Sequence, residues 1–184
     1  MNRGDVFPAL FLDRDGIINL DSGFVWKKEE FIFQDYIFEL CRYFKEKDFK
    51  LVTITNQSGI GRGLFSLEDF HKLNDWMLSR FEEEGCGMDL VLTSTLDPTD
   101  QSATIREKSF RKPAPGMVLA AQEILNLNLR DSLLIGDRES DIEAGVNAGV
   151  GNLFLVNPDL VLDGNCESFE GLYECLVRLK EKFQ

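Results

Sequence analysis

The sequence predicts an α/β fold, a three-layer, doubly wound sheet of parallel strands. Apolar runs of strand length alternate with longer segments whose apolar residues recur at helical spacing. That order, strand then helix then strand, implies parallel strands joined by right-handed crossovers. Several of the strand-like runs end in polar or glycine-rich stretches. In such sheets ligands bind beyond the carboxyl ends of the strands.

Ala9–Leu12 reads as a short buried strand that stops at Asp13. Ile37, Leu40, Cys41 and Phe44 follow the i, i+3, i+4, i+7 pattern of an amphipathic helix. Lys50–Thr55 is β-branched and runs into the polar, glycine-rich stretch Asn56–Gly63. Ser66 is a candidate N-cap for a helix reaching about Glu84, with Phe70, Leu73, Met77 and Phe81 on one face. Asp89–Leu92 reads as a third strand, and Thr93–Lys112 as a long polar loop without periodicity. Pro113–Gly116 opens a helix through about Leu127, Ser132–Ile135 is a fourth strand, and a short helix spans Ser140–Ala148. Asn152–Val156 is a fifth strand, and a last helix aligns Leu172, Cys175, Leu176 and Leu179.

A chain of 184 residues is long enough for one compact domain spanning 1–184. Its 20 Lys+Arg stand against 32 Asp+Glu, a formal net charge of −12. That argues against nucleic acid as a partner, because phosphate backbones require a positive surface, and against a polybasic membrane anchor. Val6–Leu12 is short, broken by Pro8 and closed by Asp13, which fits neither a signal peptide nor a membrane span. Cys41, Cys86, Cys166 and Cys175 show no CxxC spacing, and His71 is the single histidine, so no zinc is expected. Scattered thiols fit a reducing cytoplasm, and the chain is expected to be a monomer.

The loops after the strands carry the chemistry. Asp13-Arg14-Asp15-Gly16 places two carboxylates at i, i+2, which need a cation or a proton if they converge; in isolation this is equally a surface turn. Thr55-Asn56-Gln57-Ser58-Gly59 offers hydroxyl, amide and backbone donors to an anion, although it lacks the P-loop lysine and a complete GxGxxG. Arg111 and Lys112 precede a rigid turn and suit phosphate binding, although such a dipeptide is commonly a solvated surface feature. Gly136-Asp137-Arg138-Glu139-Ser140-Asp141 adds two more carboxylates. Asp13, Asp15 and Asp137 are oxygen ligands of the kind Mg²⁺ takes, and Thr55 and Lys112 can hold phosphoryl oxygens. A remaining carboxylate can act as nucleophile, but spacing does not tell Asp13 from Asp15 in that role.

Together, the four motifs resemble those of the haloacid dehalogenase-like phosphatases. The finer pattern DRDGxIN, TNQSGIGRG, RKPxPGM and GDxxxDxxAGxxAG is similar to the D-glycero-D-manno-heptose 1,7-bisphosphate phosphatases, which share a subfamily with histidinol-phosphate phosphatases. The resemblance covers roughly Ala9 to Val156 and implies a Rossmann-like, essentially capless fold. It also implies that Asp13 forms an aspartyl-phosphate and that Asp15 protonates the leaving alcohol and then activates water. Thr55 and Lys112 would stabilise the phosphoryl group. Mg²⁺ would sit on the Asp13 carboxylate, the Asp15 main-chain carbonyl and Asp137. Substrate contacts would fall on Asp21, Ser22, Gly23, Phe24, Asn56, Gln57, Ser58, Arg111 and Arg138. The implied substrate is a small phosphorylated sugar that loses its 7-phosphate. Alternatives are another small phosphomonoesterase of the subfamily and a non-catalytic phosphate-binding module. The family commonly carries a zinc loop before the Arg-Lys motif, whereas Thr93–Phe110 contains neither Cys nor His. That loop must be held by other contacts.

Overall fold

The computed structural model describes residues 6–183 apart from Val161, Asp163 and Asn165. Its six parallel strands are β1 (Ala9–Leu12), β2 (Lys50–Asn56), β3 (Leu90–Ser94), β4 (Leu133–Gly136), β5 (Asn152–Val156) and β6 (Cys166–Phe169). They lie in the order β3-β2-β1-β4-β5-β6. The chain builds outward from β1 in one direction and then returns to add β4 on its other side. The switch point therefore lies between β1 and β4, where Asp13 and Asp137 leave the sheet.

Alternation along β1 sorts the core into two layers. Leu10 and Leu12 face α1 (Ile37–Lys45), α3 (Leu67–Glu83) and α7 (Leu172–Lys182), in one cluster with Phe44, Phe81 and Leu176. Ala9 and Phe11 face α5 (Gly116–Leu125) and α6 (Glu139–Ala148), with Met117, Ala121 and Ile142. Each fully buried Leu or Phe side chain contributes about 1.5–3 kcal/mol, and β1 is apolar on both faces because helices cover both sides of the sheet. The apolar stripes read from sequence are thus the faces that cover the sheet. No described helix is long and apolar enough to cross a membrane.

Several elements differ from the sequence expectation. The glycine-rich stretch after β2 contains a helical turn, α2 (Ser58–Gly61). The polar segment expected to be a loop contains α4 (Ile105–Phe110), opened by a Thr104–Glu107 capping box. A sixth strand, Cys166–Phe169, adds the outer edge of the sheet. The third strand runs Leu90–Ser94, extending past the expected end, and the helix after Pro115 stops at Leu125 with Asn126 left-handed.

Candidate active site

Asp13 continues the β1 ladder by donating its N–H to the Ile135 carbonyl at 3.1 Å, and is almost buried. Its Oδ1 accepts from the Lys112 ammonium at 2.7 Å. Lys112 also donates to the Ile54 carbonyl at 2.9 Å and pairs with Asp141 Oδ1 at 2.6 Å. All three ammonium protons thus have partners. The Lys112 backbone is in turn clasped by Asn56, at the end of β2: the side-chain amide donates to its carbonyl at 3.1 Å and accepts from its N–H at 3.2 Å. The Lys112–Pro113 peptide is cis.

Carboxylate oxygens of Asp13, Asp137 and Asp141 all lie within 4.8 Å of one another. Gly16 is left-handed (φ 96°), and a Cβ there would strike the Asp137 carboxylate. Asp137 Oδ1 is buried and has no hydrogen-bond partner. Burial, then Asp141 and neighbouring acids, push the Asp13 carboxyl up to about 8 despite Lys112. Burial and Asp141 push Asp137 up to about 6. Burial opposes the Lys112 ammonium, but Asp13 and Asp141 outweigh it and hold its pKa above the usual lysine value. Crowded, desolvated acids with one orphaned oxygen suit a hard divalent cation with oxygen ligands.

Above these acids opens a cavity of about 590 Å³. Asp15, Asp21, Gly23, Phe24, Thr55, Asn56, Gln57, Ser58, Arg111 and Arg138 line it. Ser22 is not among the lining residues; it is exposed in a turn where the Asp21 carboxylate accepts the Gly23 N–H at 2.9 Å. The Asp15 carboxylate also stands outside the acidic cluster. It is held instead by Arg14, Asn19 and Gln57, and the carboxylate that joins Asp13 and Asp137 is Asp141. Gln57, expected as a substrate contact, donates to Asp15 Oδ2 at 2.7 Å and to Thr55 Oγ1 at 2.9 Å. Asn56 spends its amide on Lys112. Arg138 pairs with Asp21 at 2.6 Å and lies 3.8 Å from Asp137.

Arg62 also lines the cavity, with its guanidinium 5.9 Å from the Phe24 ring, and pairs with Asp97 at 3.5 Å. In the sequence it is the arginine of the TNQSGIGRG pattern, one of the cations that fall in the motif loops. The segment after β3 is held by this pair and by Arg111, which donates to the Leu96 carbonyl at 3.2 Å. Gly61 brings α2 against the same segment: a Cβ there would lie 2.5 Å from the Thr95 carbonyl oxygen.

A model of the HAD-hydrolase-like family matches residues 109–159. A D-glycero-alpha-D-manno-heptose-1,7-bisphosphate 7-phosphatase from Burkholderia mallei is 49% identical over 149 residues, 80% of this chain and 79% of its own length. A D-glycero-beta-D-manno-heptose-1,7-bisphosphate 7-phosphatase from Helicobacter pylori is 45% identical over 153 residues, 82% of this chain and 85% of its own. Among solved structures, D,D-heptose 1,7-bisphosphate phosphatase from B. bronchiseptica, complexed with magnesium and phosphate, superposes with a TM-score of 0.83 at 26% identity. The alignment covers 96% of this chain and 99% of that one.

Proposed function

The chain belongs to the haloacid dehalogenase-like hydrolases, among the D-glycero-D-manno-heptose-1,7-bisphosphate 7-phosphatases, and from that premise we propose that it removes the 7-phosphate of a heptose 1,7-bisphosphate with the aid of Mg²⁺. The observation that carries this reading is the floor of the cavity. There a buried carboxylate, Asp13, lies beside the orphaned oxygen of Asp137 and is oriented by a lysine with no free proton.

Asp13 attacks the phosphorus and the bond to the sugar oxygen breaks, leaving an aspartyl-phosphate. Asp15 gives a proton to the departing alcohol and then takes one from the water that releases phosphate. Thr55 offers its hydroxyl to a phosphoryl oxygen, and the Lys112 charge beside Asp13 offsets the negative charge that builds there. Mg²⁺, held by Asp13, Asp137 and the Asp15 main-chain carbonyl, would offset the repulsion between the acids and the phosphate. Arg138, Arg111 and the turn at Asp21–Phe24 receive the rest of the substrate. The partner is a small phosphorylated sugar rather than nucleic acid or a membrane. The segment from Thr93 to Phe110 carries no Cys or His that could hold zinc, and arginine contacts brace it at Leu96 and Asp97.

Phosphate release is to be measured from both anomers of heptose 1,7-bisphosphate, histidinol phosphate and fructose 1,6-bisphosphate, with Mg²⁺, with EDTA and with a zinc-selective chelator. The expected result is preferred turnover of a heptose bisphosphate that EDTA abolishes and the zinc chelator leaves intact. Equally poor turnover of all three classes would remove the heptose assignment.

A further inference from the structure

We propose that Arg14 is the positioning residue for the Asp15 carboxylate, with Asn19 and Gln57 completing its cradle, and that it ties this carboxylate to the turn at the cavity mouth. The inference rests on the reading of Asp15 as the acid and base of the reaction.

Arg14 leaves β1 between the two catalytic acids, yet it is only 2% exposed. Its Nη2 donates to Asp15 Oδ1 at 2.8 Å and to Oδ2 at 2.9 Å, and its Nε reaches Oδ1 at 3.2 Å. Asn19 Nδ2 adds a donor to Oδ1 at 3.1 Å, and Gln57 Nε2 adds one to Oδ2 at 2.7 Å. Both oxygens are therefore held, from three sides, while the carboxylate remains open to the cavity. The guanidinium is itself fixed. Nη2 donates to the Val25 carbonyl at 2.8 Å, and the Phe70 ring of α3 lies 5.9 Å below.

Burying a guanidinium is costly, and a buried ion pair adds little net stability over an apolar pair. A planar fork does something an apolar side chain or an ammonium does not: it fixes both the position and the rotation of a carboxylate. A proton donor must sit within hydrogen-bond reach of the leaving oxygen, so its rotation governs the step. The Val25 link extends this control. The turn at Asp21–Phe24 runs directly into Val25, whose carbonyl Arg14 holds, and Asp21 pairs with Arg138 across the cavity. One guanidinium thus sets the spacing between the proton donor and the part of the site that meets the sugar.

The test uses aryl phosphates of nearly equal shape but different leaving-group basicity, phenyl phosphate and 4-nitrophenyl phosphate. Nitrophenolate departs without a proton, whereas phenolate needs one. Leaving-group departure falls within the steps that kcat/KM reports. In Arg14→Lys the loss of kcat/KM on phenyl phosphate should exceed the loss on 4-nitrophenyl phosphate by about tenfold or more. A fold defect lowers both equally, and an equal loss overturns the inference. Should Arg14→Lys not fold, Gln57→Met, which removes one donor of the same cradle, is measured on the same pair and must show the same direction. Asp15→Asn is run alongside. A steep Asp15→Asn with flat Arg14 and Gln57 variants overturns the positioning role alone, and a flat Asp15→Asn overturns the assignment of Asp15 itself.

Discussion

Lys112 is the residue on which the floor of the site depends. It is the ammonium between Asp13 and Asp141, and all three side chains are buried. Removing one member of a buried charge group leaves the others uncompensated, at a cost of about 3–5 kcal/mol. Lys112→Met should therefore lower the urea midpoint sharply as well as abolish turnover. Asp13→Asn is the opposite case. Lys112 keeps Asp141 and the Ile54 carbonyl, and the amide replaces a carboxyl that burial and its acid neighbours already hold against ionisation. That variant should melt no lower than the parent while releasing no phosphate, as a circular-dichroism melt beside a phosphate assay would show. Measurable turnover in it would rule out Asp13 as the nucleophile.

At the scale of elements, the edge strand β3 is pinned by one carboxylate. Asp89, just before it, accepts the Leu51 N–H of β2 at 2.9 Å, the Lys45 ammonium of α1 at 2.7 Å and Lys50 at 3.3 Å. Burial alone would raise its pKa, but Lys45, the Leu51 N–H and Lys50 together hold it below the usual aspartate value. The stabilisation is then complete above the unfolded-state pKa, roughly 3.9, and is lost as pH falls through the lower folded-state value. Asp89→Asn should cost about 1–2 kcal/mol at neutral pH, and the difference should shrink at pH 3 in denaturant titrations at both conditions. A constant difference would mean that the charge plays no part. What the sequence revealed of these elements follows their physics. β1, β2 and α3 were legible because a buried strand or a four-turn stripe must repeat its apolar residues. β6 was not, since Cys-Glu-Ser-Phe is an edge strand with one apolar neighbour surface and no run to read. α4 is too short for a period to show, and its one local signal was the Thr104–Glu107 box. α2 contains two glycines, so its helical turn comes from packing on Phe65 and the segment at Thr95 rather than from propensity. Asp13, Asp15 and Asp137 were legible because each stands where a loop opens at the sheet's carboxyl end, whereas Lys112, between α4 and α5, showed only as half of a basic dipeptide before a rigid turn. The task of Arg14 was not, because it exists only once residues 19 to 25 fold back over Asp15.

For the whole molecule, the net charge of −12 and an anionic substrate are reconciled by where the charges sit. Arg62, Arg111 and Arg138 line the cavity mouth, while its floor holds Asp13 and Asp141 against Lys112, with Asp137 beside them. The floor thus sets three acids against one ammonium, and a divalent cation there offsets the excess of negative charge. A ligand that binds only the native state stabilises it by about 2.7 kcal/mol at a hundred times its Kd. Titrating Mg²⁺ should therefore raise the thermal midpoint in a saturable way, in the absence of any substrate. Asp137→Asn neutralises one of those acids and leaves a weaker ligand. It should start from a midpoint at or above that of the parent and gain little from Mg²⁺. If the parent and Asp137→Asn rise together, the cation binds elsewhere on the acidic surface, and the cluster at the strand ends is not its site.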